Sequence, residues 1–181
     1  RWHMPRALKL ADDQQTALTR KNARCDECVH GDHLADDGAP PGYHYSIVAT
    51  MLASGATGHL AFEADAVGDG AILLEMAAAA APFVGRERIV QYGLPVDVSV
   101  TGRNVRASAI ASREGALVAV TPVDHEAPAG PGEVEVSLRH EKGWAVRDEG
   151  GAAVGGVVED GVARWSVGVL PPGGGGFYVG K

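Results

Sequence analysis

The chain lacks an excess of basic residues. Sixteen Lys and Arg stand against 23 Asp and Glu, a formal charge of -7, which argues against a phosphate-backbone binder and hence against nucleic acid as a partner. It also lacks a long hydrophobic run. The alanines from Ala77 to Ala81 fall far short of the roughly 18 apolar residues of a membrane span. No signal-peptide pattern follows Arg1. Several catalytic signatures are missing as well: there is no Gly-x-Ser-x-Gly elbow, no His-Glu-x-x-His helix and no dinucleotide fingerprint. The run Pro171-Pro172-Gly173-Gly174-Gly175-Gly176 has the glycine count of a phosphate loop. It has neither the lysine nor the following helix of one, so it reads as a flexible turn before a last strand. Cysteine is limited to Cys25 and Cys28. Three residues apart, they could form a redox pair, half of a metal site or two free thiols.

What is present is enough for a core. Hydrophobic residues make up 45% of the 181 and charged residues 22%, a balance that permits one large domain or two small ones. The pattern favours two. Residues 1–94 follow a helix–strand–helix grammar, and residues 95–181 follow a strand-and-turn grammar, giving an α+β, multidomain chain.

In the first part, Arg1 to Arg24 includes a surface helix with Pro5 in its first turn. Cys25, Cys28, His30 and His33 then form the densest set of potential ligands. Two thiolates and two imidazoles could close a tetrahedral, structural zinc site. Against that, zinc modules usually separate their ligand pairs by a dozen or more residues, and a solvated polar loop has the same composition. Apart from this possible zinc, no cofactor is expected.

From Tyr43 the helical period is clear. Tyr45, Val48, Ala49 and Leu52 share one face, and Ser54-Gly55 supplies a left-handed C-cap. His44, at the start of this helix, reads as a surface or capping residue. Gly58 to Phe62 is short and apolar between breakers, as a strand buried on both faces would be. A second helix runs from Ala71 to Ala81 and stops at Pro82, and Gly85 to Leu94 reads as a linker.

These residues resemble the end of a glycoside hydrolase barrel. The resemblance rests on Pro40-Pro41, the Tyr45 helix, Ala53-Ser54-Gly55-Ala56-Thr57-Gly58-His59-Leu60-Ala61-Phe62, and the helix ending at Ala80-Ala81-Pro82-Phe83. It implies a partial (β/α) barrel segment joined to a C-terminal antiparallel β-sandwich, in the C-terminal part of a longer carbohydrate-active hydrolase. Glu63 and Asp65 would then follow the eighth strand, on the face where barrel active sites are built. Glu63 becomes the one catalytic candidate, and Glu63 and Asp65 become candidate ligands of a sugar hydroxyl. Asp69 lies in the same loop, and all three could equally be solvated, with Asp69 capping the next helix. His59 reads as a packed histidine. The acid and nucleophile of a glycosidase would lie on earlier strands, so this chain alone should be inactive. Half a barrel would also expose strand edges and favour association. A polysaccharide hydrolase would commonly act outside the cytoplasm; the residues themselves leave the compartment open.

Beyond Pro95 the period is two. Val96, Val98 and Val100 alternate with polar residues, as do Val134, Val136 and Leu138. Further strands are expected at Val105–Ser112, Ala116–Val120, Trp144–Arg147, Gly151–Val158, Val162–Val169 and Phe177–Val179. Strands at this spacing with turns between them indicate a sandwich. Trp144 and Trp165 could offer a stacking platform for a substrate sugar, although tryptophan in a small sandwich more often fills the core. The alternative function is a non-enzymatic module binding carbohydrate or protein.

Overall fold

The computed structural model describes residues 40–55, 71–138 and 143–181. Among them are three α-helices: α1 (Tyr43–Ala53), α2 (Ala71–Ala80) and α3 (Glu87–Tyr92). Nine strands follow: β1 (Leu94–Pro95), β2 (Val98–Gly102), β3 (Val105–Ala111), β4 (Gly115–Pro122), β5 (Gly132–Ser137), β6 (Ala145–Asp148), β7 (Gly156–Glu159), β8 (Val162–Val167) and β9 (Gly175–Gly180). They form two sheets, of order β1-β3-β4-β9-β6 and β2-β5-β8-β7. Every pairing between these strands is antiparallel. The β-sandwich expected after Pro95 is therefore present.

Alternation builds the space between the sheets. Val98 pairs with Val136 and Val100 with Val134, so the apolar sides of β2 and β5 coincide. Val134 and Val136 are buried, whereas Glu133 and Glu135 face solvent. On β8, Ala163, Trp165 and Val167 turn inward and Arg164 and Ser166 outward. From the opposite sheet Val118, Val120, Phe177 and Val179 complete this core. Each such side chain contributes about 1.5–3 kcal/mol by leaving water.

The helices form a third layer. All eight residues of β4 are buried. Ala116, Val118 and Val120 face the other sheet, while Leu117 and Ala119 join a second core with Tyr45, Val48, Ala49, Phe83, Ile89 and Ile110. A strand covered on both faces needs an unbroken apolar run, which Gly115–Val120 supplies. Helix α1 is buried along its whole length except for Leu52. It ends as its glycine signal requires: Gly55 has φ 94, and its N–H reaches the Leu52 carbonyl at 3.0 Å. Helix α2 stops at Ala80, and Ala81–Phe83 continues as one 3₁₀ turn with Pro82 at its start.

Four expectations are corrected. His44 is buried, at 4% exposure, because α1 has almost no solvent face on which to carry it. The linker at Gly85–Leu94 contains α3, whose Ile89 and Val90 are buried in the helix–sheet layer. Of the strand expected at Gly151–Val158, only Gly156–Glu159 forms. The Asp148 carboxylate captures the Ala152 N–H at 2.9 Å and folds the preceding residues into a turn. The glycine run at 173–176 does turn the chain into β9, with the Gly174 N–H on the Pro171 carbonyl at 3.0 Å, but the turn is a packing surface. Gly173, Gly174 and Gly176 are buried, and a Cβ at Gly42 would lie 2.1 Å from the Gly173 nitrogen. Two backbones therefore meet where only glycine fits.

The strand expected at Gly58–Phe62, on which a barrel would rest, lies outside the described residues. No helix among the described residues is long and apolar enough to cross a membrane.

Candidate functional site: a polar seam and an open groove

Polar side chains concentrate where α1 and α2 meet the end of β3 and β4. The turn after β2 sets them up. Asn104 sits in the left-handed region at φ 56, which Asn tolerates better than most residues. Its amide nitrogen donates to the carbonyls of Asp124 and Ala127, at 2.6 and 2.9 Å, and its side-chain oxygen accepts the Asp124 N–H at 2.7 Å. Asp124 in turn accepts the Glu126 N–H at 2.9 Å. The loop bearing His125 is thus clamped from both sides, and its imidazole is held 5.6 Å from the Tyr43 ring.

Arg106 joins the layers. From β3 its guanidinium donates to Thr121 on β4 at 3.2 Å and to Thr50 on α1 at 3.3 Å. Glu75 on α2 accepts the Gly42 N–H at 2.9 Å. Gly42, at the N-cap of α1, has no side chain to cap the helix, and the approach of Gly173 leaves no room for one. Ser46 donates to the Gly173 carbonyl at 2.9 Å, and Tyr45 donates to Glu149 at 2.6 Å.

Burial sets the electrostatics of the seam. Burial first, and then the Arg106 charge, push the His125 imidazole down to about 4, against smaller opposing effects of Asp124 and Glu75. Such a base is neutral at physiological pH and too weak to take a proton efficiently. Burial pushes the Tyr43 phenol up to about 12, and raises Tyr45 further with help from the Glu149 hydrogen bond and charge. Both stay protonated. Among the described residues, the seam contacts named above join hydrogen-bond donors and acceptors to a fixed cation and include no nucleophile–base hydrogen bond.

A separate open groove of about 420 Å³ lies between α3 and the β3–β4 turn, lined by Arg88, Tyr92, Leu94, Ser112, Arg113 and Glu114. Arg88 pairs with Glu114 at 2.7 Å, and its guanidinium lies 5.7 Å from the Tyr92 ring centre.

The site residues expected from the sequence separate into two groups. Cys25, Cys28, His30, His33, His59, Glu63, Asp65 and Asp69 lie outside the described residues. Among the described residues, no three His, Cys, Asp or Glu side chains converge as a metal site would need. Trp165 is 2% exposed and packs at 5.4 Å against Phe177, so it is core and not a platform. Trp144 is half-buried against the same core. The outward face of β5 and β8 carries Glu133, Glu135, Arg164 and Ser166 and no aromatic ring. Glu75, Arg106 and His125 of the seam, and Arg88, Tyr92 and Arg113 of the groove, had no sequence pattern to announce them. They come together only through the packing of α3 and the long β4–β5 connection.

No protein-family model matches this chain, and no curated protein matches it.

Proposed function

We propose that the chain is the C-terminal part of a carbohydrate-active hydrolase, similar to glycoside hydrolases. In this reading residues 1–94 are the end of a (β/α) barrel, and residues 95–181 are an accessory β-sandwich that supports it. One observation carries the reading: α1 is buried on nearly every residue, including His44, Ser46 and Thr50. A helix laid on the outside of a free-standing binding module would keep a polar, solvated face. A helix with no such face belongs between layers, and its hydrogen bonds to Gly173, Arg106 and Glu149 are those of a permanent mount. The sandwich then acts by rigid support. Glu63 is the candidate carboxylate near the reacting sugar and Asp65 a candidate hydroxyl ligand, while the acid and nucleophile lie on the preceding strands.

The test is release of reducing ends from a panel of polysaccharides. The parent polypeptide should release them, and residues 1–181 alone should not. Hydrolysis by residues 1–181 alone, or none by the parent, contradicts the reading.

A second reading, a non-enzymatic carbohydrate- or protein-binding sandwich, draws on the groove beside Tyr92. It requires saturable binding by the isolated chain and no hydrolytic activity in any longer form.

A further inference from the structure

We propose that the groove between α3 and the β3–β4 turn binds a carboxylate-bearing sugar, with the pyranose stacked on Tyr92 and its carboxylate held by Arg113. The proposal rests on the carbohydrate reading above and adds to it a site and a ligand class.

Tyr92 is 64% exposed, and it is the one aromatic ring among the described residues that lies mainly in solvent. It ends α3, whose Ile89 and Val90 anchor it in the core, so the ring stands on a fixed base. Arg88 lies over the ring and is itself tied to Glu114. The opposite wall is braced just as firmly. The Glu114 N–H donates to Ser112 Oγ at 3.0 Å, the Ser112 N–H donates to the Gly115 carbonyl at 2.8 Å, and Tyr178 donates to the Glu114 carbonyl at 3.2 Å. A groove with a wall so braced loses less entropy on binding than a mobile one.

Arg113 differs from its neighbours. Arg86 is stacked over Tyr178, 4.3 Å from the ring centre, and donates to the Pro82 carbonyl. Arg88 has Glu114. Arg113, exposed at the tip of the turn and lining the groove, has no hydrogen-bond or ion-pair partner among the described residues. In a chain of net charge -7, an unengaged guanidinium lining the same groove as a solvent-exposed aromatic ring, one face of which carries Arg88, is a local feature. A guanidinium binds a carboxylate through two parallel N–H bonds. The ring face suits the C–H face of a pyranose, and Glu114 and Ser112 can meet its hydroxyls. Inorganic phosphate has no apolar face to set against Tyr92 and would use only the guanidinium. The volume of 420 Å³ lies in the range of about 300–1,000 Å³ common to small-ligand sites.

The experiment titrates the full chain with trigalacturonate and, separately, with the neutral galactose trimer, following backbone amide NMR shifts. The expected result is saturable shifts confined to Arg88–Leu94 and Ser112–Gly115, with affinity that falls as salt is added. Tyr92→Ala and Arg113→Gln should each weaken trigalacturonate binding about tenfold, and the neutral trimer should bind about tenfold more weakly. Both side chains are exposed, so an unchanged unfolding midpoint certifies each variant. Absence of saturable shifts, shifts elsewhere, or full affinity in either variant would overturn the proposal. Equal binding of the two trimers would overturn the carboxylate specificity and leave a sugar-binding groove. The hydrolase reading is judged separately, by reducing-end release from the parent polypeptide.

Discussion

The phenol of Tyr45, on the helix that begins the second core, donates a 2.6 Å hydrogen bond to Glu149 in the turn after β6, more than a hundred residues away. Two residues earlier on the same helix, the Tyr43 hydroxyl is buried with no hydrogen-bond partner among the described residues. The two tyrosines should respond oppositely to the same substitution. Tyr45→Phe removes a bond to a charged acceptor and is expected to cost about 1–2 kcal/mol. Tyr43→Phe removes an unpaired polar atom and should change stability by less than about 1 kcal/mol, in the stabilising direction. Urea unfolding of both variants checks the pair.

The contact of Gly42 with Gly173 gives a second contrast. Gly42→Ala forces a Cβ into the Gly173 backbone at 2.1 Å, at a φ of 78, and is expected to cost more than about 3 kcal/mol, among the largest effects of single substitutions. Gly85→Ala has a similar φ of 76 but meets nothing within 4 Å. It should cost only the backbone strain, about 1–2 kcal/mol. Equal losses would mean that the strain, not the backbone approach, demands glycine at position 42.

Trp165 tests the sandwich core. Trp165→Ala is expected to lose about 3–5 kcal/mol. It should do so with the helices still in place, because Trp165 belongs to the core between the sheets and not to the one beneath α1. Near-ultraviolet circular dichroism and denaturant unfolding measure both parts of that expectation.

Acid should loosen the seam through His125. Its folded-state value of about 4 lies below the ordinary 6.5, so between those two pH values the unfolded chain binds more protons. Stability therefore rises with pH across that window and is lost as the pH falls through it. Allowing for the partly exposed ring, the expected loss is about 1–2 kcal/mol. His125→Gln should flatten this part of the profile relative to the parent chain, with Arg106, Asp124 and Glu75 still in place. An unchanged slope between pH 4 and 6.5 would contradict the burial of His125.

Much of the sandwich was legible because β-alternation is a local signal. Val134 and Val136 against Glu133 and Glu135 mark an inner and an outer face without knowledge of any partner strand. The C-cap at Ser54-Gly55 was legible for the same reason. The helical layer over the first sheet was less so. The unbroken run Gly115–Val120 already carries the signature of a strand covered twice, but it names no cover. Nothing local distinguishes α3 from a linker, since its six residues gain their stability from Ile110 beneath them. The seam was hidden for a further reason. His125 sits in a loop without periodicity, and Asn104, which fixes that loop, lies 20 residues away in the chain. Contacts of that kind follow from packing and leave no spacing in the sequence.

The hydrolase reading is tested most directly by the mass of the native polypeptide in its source, together with the sequence upstream of Arg1. Some 200 or more preceding residues in strand–helix repeats are expected, with two carboxylates at the C-terminal ends of strands. A native polypeptide that starts near Arg1 would contradict the hydrolase reading, and the binding-module reading would take its place.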